Sequence, residues 1–253
     1  ITSGSADLLN ENFENTKPTN GGYDNSGWTE EKGSGVLDPD STEVARPTGG
    51  GNQVLKLQKA ASSYQSRVSR NLSADSPITY TSIYFQYNTY SLSDGEMVSI
   101  AEMRDSTDKI AWRLYFKYLA SGSNTRINLR YYNNGSDNNW GTDTTVNLVS
   151  GNWYKLEVKY DVTNKTYEWK IDGVSKGSGS LTGTLPLGGK NFKIGDYYIS
   201  KTATYYVDNL SISSTNYPEE PLELPANVWR ADLATAPKEI WFSKSSVGHW
   251  GNP

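Results

Sequence analysis

The chain has 253 residues, 35% of them hydrophobic, with 18 Tyr, 8 Trp and 23 Gly, a composition of strands and turns rather than helices. A net charge of −4 without a basic block disfavours a nucleic-acid partner. The absence of cysteine excludes disulfides and thiolate sites, and no run reaches the roughly 20 apolar residues that membrane insertion by a helix needs.

The opening "ITSGSADLL" lacks an initiator Met, so the chain is expected to be a processed piece of something longer, with neighbouring domains covalently linked. Alternation then predicts strands at about 8–14, 53–58, 65–72, 78–92, 96–104, 110–119, 126–133, 153–162, 166–172, 190–199 and 205–213. Gly-rich and polar turns separate them, among them "RPTGGGN", "SLSDGE", "NNGSDNN" and "DGVSKGSGS". "YDVTNKTYEWKIDG" is the clearest hairpin. Short strands without helical periodicity predict an all-β fold, a two-sheet antiparallel sandwich over residues 1–213. Residues 214–227, with Pro218, Pro221 and Pro225, read as a linker or strap. Residues 228–253 form a tail too short to fold alone. Its Trp229, Trp241 and Trp250 predict that it docks on a surface or opens a further domain.

The stretch "MRDSTDKIAWRLYFKY" poses the functional question. Trp112, Leu114, Phe116 and Tyr118 fall on one strand face as a core stripe, and Arg113, Tyr115 and Lys117 fall on the other. Neighbouring strands offer Glu102 and Arg104, then Arg126, Asn128, Arg130 and Tyr132 at matching outward positions. Tyr80, Tyr84, Gln86 and Tyr90 are expected to extend this face, and Trp140 to form its rim. Aromatic rings stack on sugars, and guanidinium forks grip carboxylates or sulfates. The expected glycan-binding residues are therefore Tyr84, Arg104, Arg113, Tyr115, Lys117, Arg126, Arg130, Tyr132 and Trp140, and the expected ligand is an acidic polysaccharide. The plain alternative is a solvated sheet face whose charges pair across strands.

No catalytic residue is assigned. Glu96 and Glu102 share parity but stand six residues apart, about 20 Å along a strand, too far to flank one glycosidic bond. No Ser-His-Asp set, phosphate loop or zinc spacing occurs, and the single histidine, His249, lies in the tail. Asn71, Asn134, Asn164 and Asn209 fit the glycosylation sequon, which an Asn-rich chain produces by chance.

The segments "NENFENTKPTNGGYDNSGWTE", "GGGNQVLKLQ", "SGNWYKLEVKYDVTNKTYEWKIDGV" and "FKIGDYYISKTATYYVDNLSIS" together resemble concanavalin-type, laminin-G-like jelly rolls of secreted bacterial and phage proteins, over roughly residues 8–213. The tail "NVWRADLATAPKEIWF" is similar to segments that lead into β-helix domains of polysaccharide-acting enzymes. The resemblance implies a concanavalin-like jelly roll of the carbohydrate-binding module and polysaccharide lyase type, found outside the cell or at its surface. It also implies a structural calcium near the first and last strands, for which Glu11, Glu14, Asp24 and Asp208 are the candidate ligands. Asp208 sits inside an apolar strand, where a carboxylate needs a partner. The E-x-D-x-x-E pattern of laminarinases and the Q-I-H signature of alginate lyases are absent.

These readings converge on a non-catalytic, lectin-like glycan-binding module of a larger secreted or surface protein. The alternatives are a jelly-roll lyase using Tyr and Arg of the same groove, and a structural or adhesion domain of a phage virion or surface protein.

Overall fold

Strand alternation is what builds the molecule. The computed structural model describes residues 7–11, 13, 27–32, 36–47, 54–59, 66–121, 124–141, 147–196, 202–218, 228–231 and 240–243. Among the described residues the elements are strands: β1 (Asp7–Glu11), β2 (Thr29–Lys32), β3 (Val36–Ser41), β4 (Val54–Lys59), β5 (Ser66–Ser76) and β6 (Ile78–Ser91). They continue with β7 (Met97–Arg104), β8 (Ile110–Leu119), β9 (Asn124–Asn133), β10 (Ser136–Trp140), β11 (Tyr154–Asp161) and β12 (Thr166–Ile171). The last are β13 (Val174–Ser180), β14 (Gly189–Asp196), β15 (Thr202–Ser213), β16 (Val228–Ala231) and β17 (Ile240–Ser243).

An eight-stranded sheet runs β13-β12-β11-β6-β15-β4-β3, with β1 also paired to β15; a seven-stranded sheet runs β10-β9-β8-β7-β14-β5-β2. Every pairing within them is antiparallel. Their inner faces share one core. Ile83, Phe85, Tyr205 and Val207 come from the first sheet, and Val68, Met103, Trp112, Leu114, Phe116, Leu129 and Ile194 from the second. Phe85 and Phe116 meet across the layers with ring centroids 6.0 Å apart, and Tyr131 stacks on Tyr167 at 4.0 Å. This is the two-sheet jelly-roll sandwich that the sequence predicts.

Two local devices keep the faces in phase. β15 would turn Leu210 outward if it alternated without interruption. A register shift between Asp208 and Ser211, with Asn209 at φ 44°, returns Leu210 and Ile212 to the core. The turn from β9 to β10 places Asn134 and Gly135 at φ 49° and 77°, the pair of left-handed residues that a tight two-residue hairpin demands.

Within the two large sheets four strands depart from the predicted set, β2, β3, β10 and β13, as do β16 and β17 in the tail. The first four are the end strands of the two large sheet paths. "TEEK", "VLDPDS", "SDNNW" and "VSKGSGS" carry acidic, proline, amide and Gly/Ser residues that read as turns, because an edge strand satisfies only one row of hydrogen bonds and buries little.

The chain divides into two compact units, Ile1–Pro218 and Glu219–Pro253. At the end of the first, Tyr217 lies edge-on to Tyr80 with centroids 5.2 Å apart, and Lys170 Nζ lies 4.3 Å from its ring centre. In the second, β16 pairs with β17, Val228 opposite Ser243 and Ala231 opposite Ile240. Trp250 and His249 fall outside the described residues. Among the described residues no helix is long and apolar enough to cross a membrane.

Candidate functional site

The side chains opposite the core on the seven-stranded sheet form the candidate site. Register places Ser69, Lys193, Glu102, Arg113, Arg130 and Trp140 in one row across β5, β14, β7, β8, β9 and β10. A second row holds Ser99, Tyr115 and Asn128, and a third Met97, Lys117 and Arg126. The sequence brings these residues to one face because each alternates with a core residue: Arg113 with Trp112 and Leu114, Lys193 with Phe192 and Ile194.

Glu102 is the hub. It is 1% exposed, and its carboxylate is gripped by Arg113, by Arg104 Nε at 2.6 Å and by Arg67 Nη1 at 3.4 Å. Burial disfavours its charged form, but Arg113, Arg104 and Arg67 outweigh burial and hold its pKa below the ordinary carboxylate value. Such a carboxylate stays ionised and is a poor proton donor. Arg104 also donates to Asp108 Oδ2 at 2.9 Å. Lys193, 9% exposed, has its pKa lowered by burial and then by Arg67 and Arg104. The arginines therefore outnumber the acid that organises them.

Around this hub sits an aromatic platform. Arg113 Nη1 donates to the Tyr115 hydroxyl at 2.9 Å, and its guanidinium lies 5.7 Å from the Tyr115 ring centre. Tyr115 and Trp140 approach with centroids 5.7 Å apart, and Arg130 caps Trp140 at 5.7 Å while donating to Asp137. Trp140 is 41% exposed on the edge strand, whereas Tyr115 beneath it is buried. A cavity of about 340 Å³ lies beside Tyr115, lined by Arg67, Glu96, Ser99, Glu102, Arg113 and Asp196 among others.

Of the expected glycan-binding residues, Arg104, Arg113, Tyr115, Lys117, Arg126, Arg130 and Trp140 share this sheet face. Tyr132, near the end of β9, donates to Gly135 O in its own hairpin. Tyr84 is a correction. It lies on β6 in the other sheet, opposite Lys155 and Asp208, as do Tyr80, Gln86 and Tyr90. Alternation tells which residues share a strand face but not which sheet the strand joins. The same gap hid Arg67 and Lys193, whose only signal was their alternation with Val68, Phe192 and Ile194 in "SRVSR" and "NFKIGD".

The calcium candidates do not form one cage among the described residues. Asp208 is fully buried, and its carboxylate accepts from Arg46 Nε at 2.7 Å and from the Asn209 amide at 2.7 Å. Glu11 accepts from Phe13 N at 2.9 Å, and from Trp28 Nε1 and Arg70 Nη1 at 3.1 Å each. Each carboxylate already has cationic or N–H partners where calcium would need free oxygens. Among the described residues no group of three or more His, Asp or Glu side chains is placed to hold a metal. Glu14 and Asp24 lie outside the described residues.

No sequence-family model matches the chain, and no curated protein matches it. Solved structures do. Cip1, a cellulose induced protein, is 17% identical with a TM-score of 0.59, covering 84% of this chain and 100% of that one. A carbohydrate esterase of the Shiga toxin-encoding bacteriophage phi24B is 15% identical with a TM-score of 0.58, covering 83% of this chain and 98% of that one. An endo-β-1,4-glucuronan lyase of the fungus Trichoderma reesei is 13% identical with a TM-score of 0.57, covering 83% and 96%. The likeness at these identities is one of fold. The chain has a concanavalin-like jelly-roll sandwich.

Proposed function

We propose that the chain is a non-catalytic glycan-binding module of a larger secreted or surface protein, and that it takes acidic polysaccharide on the open face of the seven-stranded sheet. One observation carries this reading: cations face cations across that face, Arg113 opposite Arg130 and Lys117 opposite Arg126. Like charges directly opposite one another destabilise a sheet; Glu102 and Asp137 already answer Arg113 and Arg130, and an anionic ligand would add to that compensation. Trp140, 41% exposed, supplies stacking surface for sugar rings, with the buried Tyr115 ring packed beside it. The names of two structural neighbours, a glucuronan lyase and a carbohydrate esterase, fit a saccharide partner.

The test is binding to uronate-bearing and sulfated polysaccharides at low ionic strength, with neutral β-glucan for comparison. Binding should favour the polyanions and weaken as salt shortens the screening length. Arg113→Ala and Tyr115→Ala should each weaken it, and Lys165→Ala, in the turn between β11 and β12, should not. Equal binding to neutral glucan, or groove variants that behave like Lys165→Ala, would leave the face a wet sheet. Appearance of unsaturated sugar ends on incubation would turn the reading toward a lyase.

A further inference from the structure

Resting on that reading, we infer that the carboxylate of Asp108 stands in for a ligand's: it occupies an anion subsite between Arg104 and Lys193, and a uronate of the bound glycan takes its place. Arg104 Nη1 donates to Asp108 Oδ2 at 2.9 Å, and Lys193 Nζ lies 3.6 Å from Asp108 Oδ1. The partners differ in exposure. The side chains of Arg104 and Lys193 are 15% and 11% exposed, and that of Asp108 is 72% exposed. Two cations held in the sheet thus meet over one carboxylate that solvent reaches. A ligand's carboxylate can reach the same place.

The turn between β7 and β8 does not need this side chain. Asp105 builds it: 3% exposed, its carboxylate accepts from Thr107 N at 2.8 Å, Lys109 N at 3.0 Å and Leu187 N at 2.9 Å. The Asp108 amide donates to Asp105 O at 3.1 Å. Nor does Arg104 need it to stay aimed, because Arg104 Nε is held on Glu102 at 2.6 Å and Nη1 also donates to the Asp108 carbonyl at 3.1 Å. Rotation of the Asp108 side chain alone therefore empties the subsite without moving backbone or guanidinium. What Asp108 supplies is charge. Burial does most to lower the pKa of Lys193, Arg67 and Arg104 lower it further, and Asp108 and Glu102 oppose them. A uronate brings the same charge to the same cations. As a tethered competitor, Asp108 disfavours isolated acids and favours a polysaccharide that gains further contacts on the face.

Calorimetry at low ionic strength with oligoglucuronates, and with sulfated oligosaccharides of matched length, tests this. Asp108→Asn keeps a residue suited to the left-handed φ of 65° and removes only the competing charge. It should tighten oligoglucuronate binding by about two- to fivefold, the size of a surface ion pair that the ligand no longer has to displace. Glu168→Gln, which removes one negative charge from the other sheet, should change affinity much less. Lys193→Gln should weaken binding, and in its background Asp108→Asn should lose much of its gain. No gain, a gain that Glu168→Gln reproduces, or one that persists undiminished beside Lys193→Gln would overturn the stand-in while leaving acidic-glycan binding intact. A gain confined to the sulfated series would overturn the choice of a uronate. No binding of either series by the wild type or by Asp108→Asn would overturn the binding reading itself.

Discussion

The outer faces of the two sheets are built from the same residue types and solve opposite problems. On the eight-stranded sheet charges alternate in sign. Glu157 stands opposite Lys170 and Lys159 opposite Glu168, and Lys155–Glu157 and Lys159–Asp161 pair along β11 at 3.3 Å each. Segment 42–47 covers part of this face, with Glu43 on Lys56 and Tyr206, the Ala45 carbonyl on Trp153, and Arg46 on Asp208. On the seven-stranded sheet cations stand opposite cations, and one buried carboxylate, Glu102, is shared by three guanidiniums. One face is self-sufficient. The other holds an electrostatic imbalance that stability alone does not favour, and such imbalance is where a ligand's charge acts.

The largest effects should come from breaking the buried carboxylate on either face. Asp208→Ala takes the Asp208 carboxylate from Arg46, whose side chain is 4% exposed and which then keeps the Asn209 Oδ1 acceptor, and should cost about 3–5 kcal/mol in urea or thermal unfolding. Glu102→Gln should cost a similar amount, because three guanidiniums lose their common partner. The two differ in rescue: sulfate should restore more of the Glu102→Gln loss, since Arg67 and Arg113 line the cavity beside Tyr115. The cost of Asp208→Ala should be the same with and without a chelator, because Arg46 is the partner it loses. A chelator that lowers the wild-type melting temperature but leaves Asp208→Ala unaffected would instead show that Asp208 serves calcium.

What the sequence made legible follows from how much each strand buries. β8 could be read residue by residue, because "AWRLYFKY" alternates between a shared core and an open face. β10 and β13 could not, since "SDNNW" and "VSKGSGS" lie at sheet edges where burial imposes no pattern. Asp208 could be recognised as a carboxylate in need of a partner. That partner proved to be Arg46, 162 residues away in the chain, a distance over which local pattern carries no information. Tyr84 shows the remaining limit. Its face was right, but its sheet is set by strand order, and β6 pairs with β11 and β15 rather than with β7.

Acid should sharpen the contrast next. A carboxylate whose folded pKa is depressed contributes stability that is fully present above its unfolded value and is lost as pH falls through the folded one. For Glu102 the loss should therefore begin below its ordinary value of 4.5. Glu102→Gln has no such group to protonate, so its stability curve should be flatter than the wild-type curve across that window. Parallel curves would mean that the cations do not stabilise the ionised form.

The smallest effect is the most discriminating, because it predicts a difference in sign. Lys159 has Asp161 at 3.3 Å and stands opposite Glu168, so Lys159→Gln removes attractions. Arg126 stands opposite Lys117, so Arg126→Gln removes a repulsion. Cross-strand charge pairs are worth about 0.2–1 kcal/mol, and exposed ones weaken with salt. At low ionic strength Lys159→Gln should therefore lose a few tenths of a kcal/mol and Arg126→Gln should gain a similar amount, with both differences shrinking as salt is raised. The Arg126 stem also packs on the sheet, and Gln keeps only part of it, which sets the gain near the lower end of that range. The same variant should bind acidic glycan less well. Higher stability with lower affinity is the signature of a residue kept for a ligand. If both variants lose stability, the two faces obey one rule and the imbalance has no role.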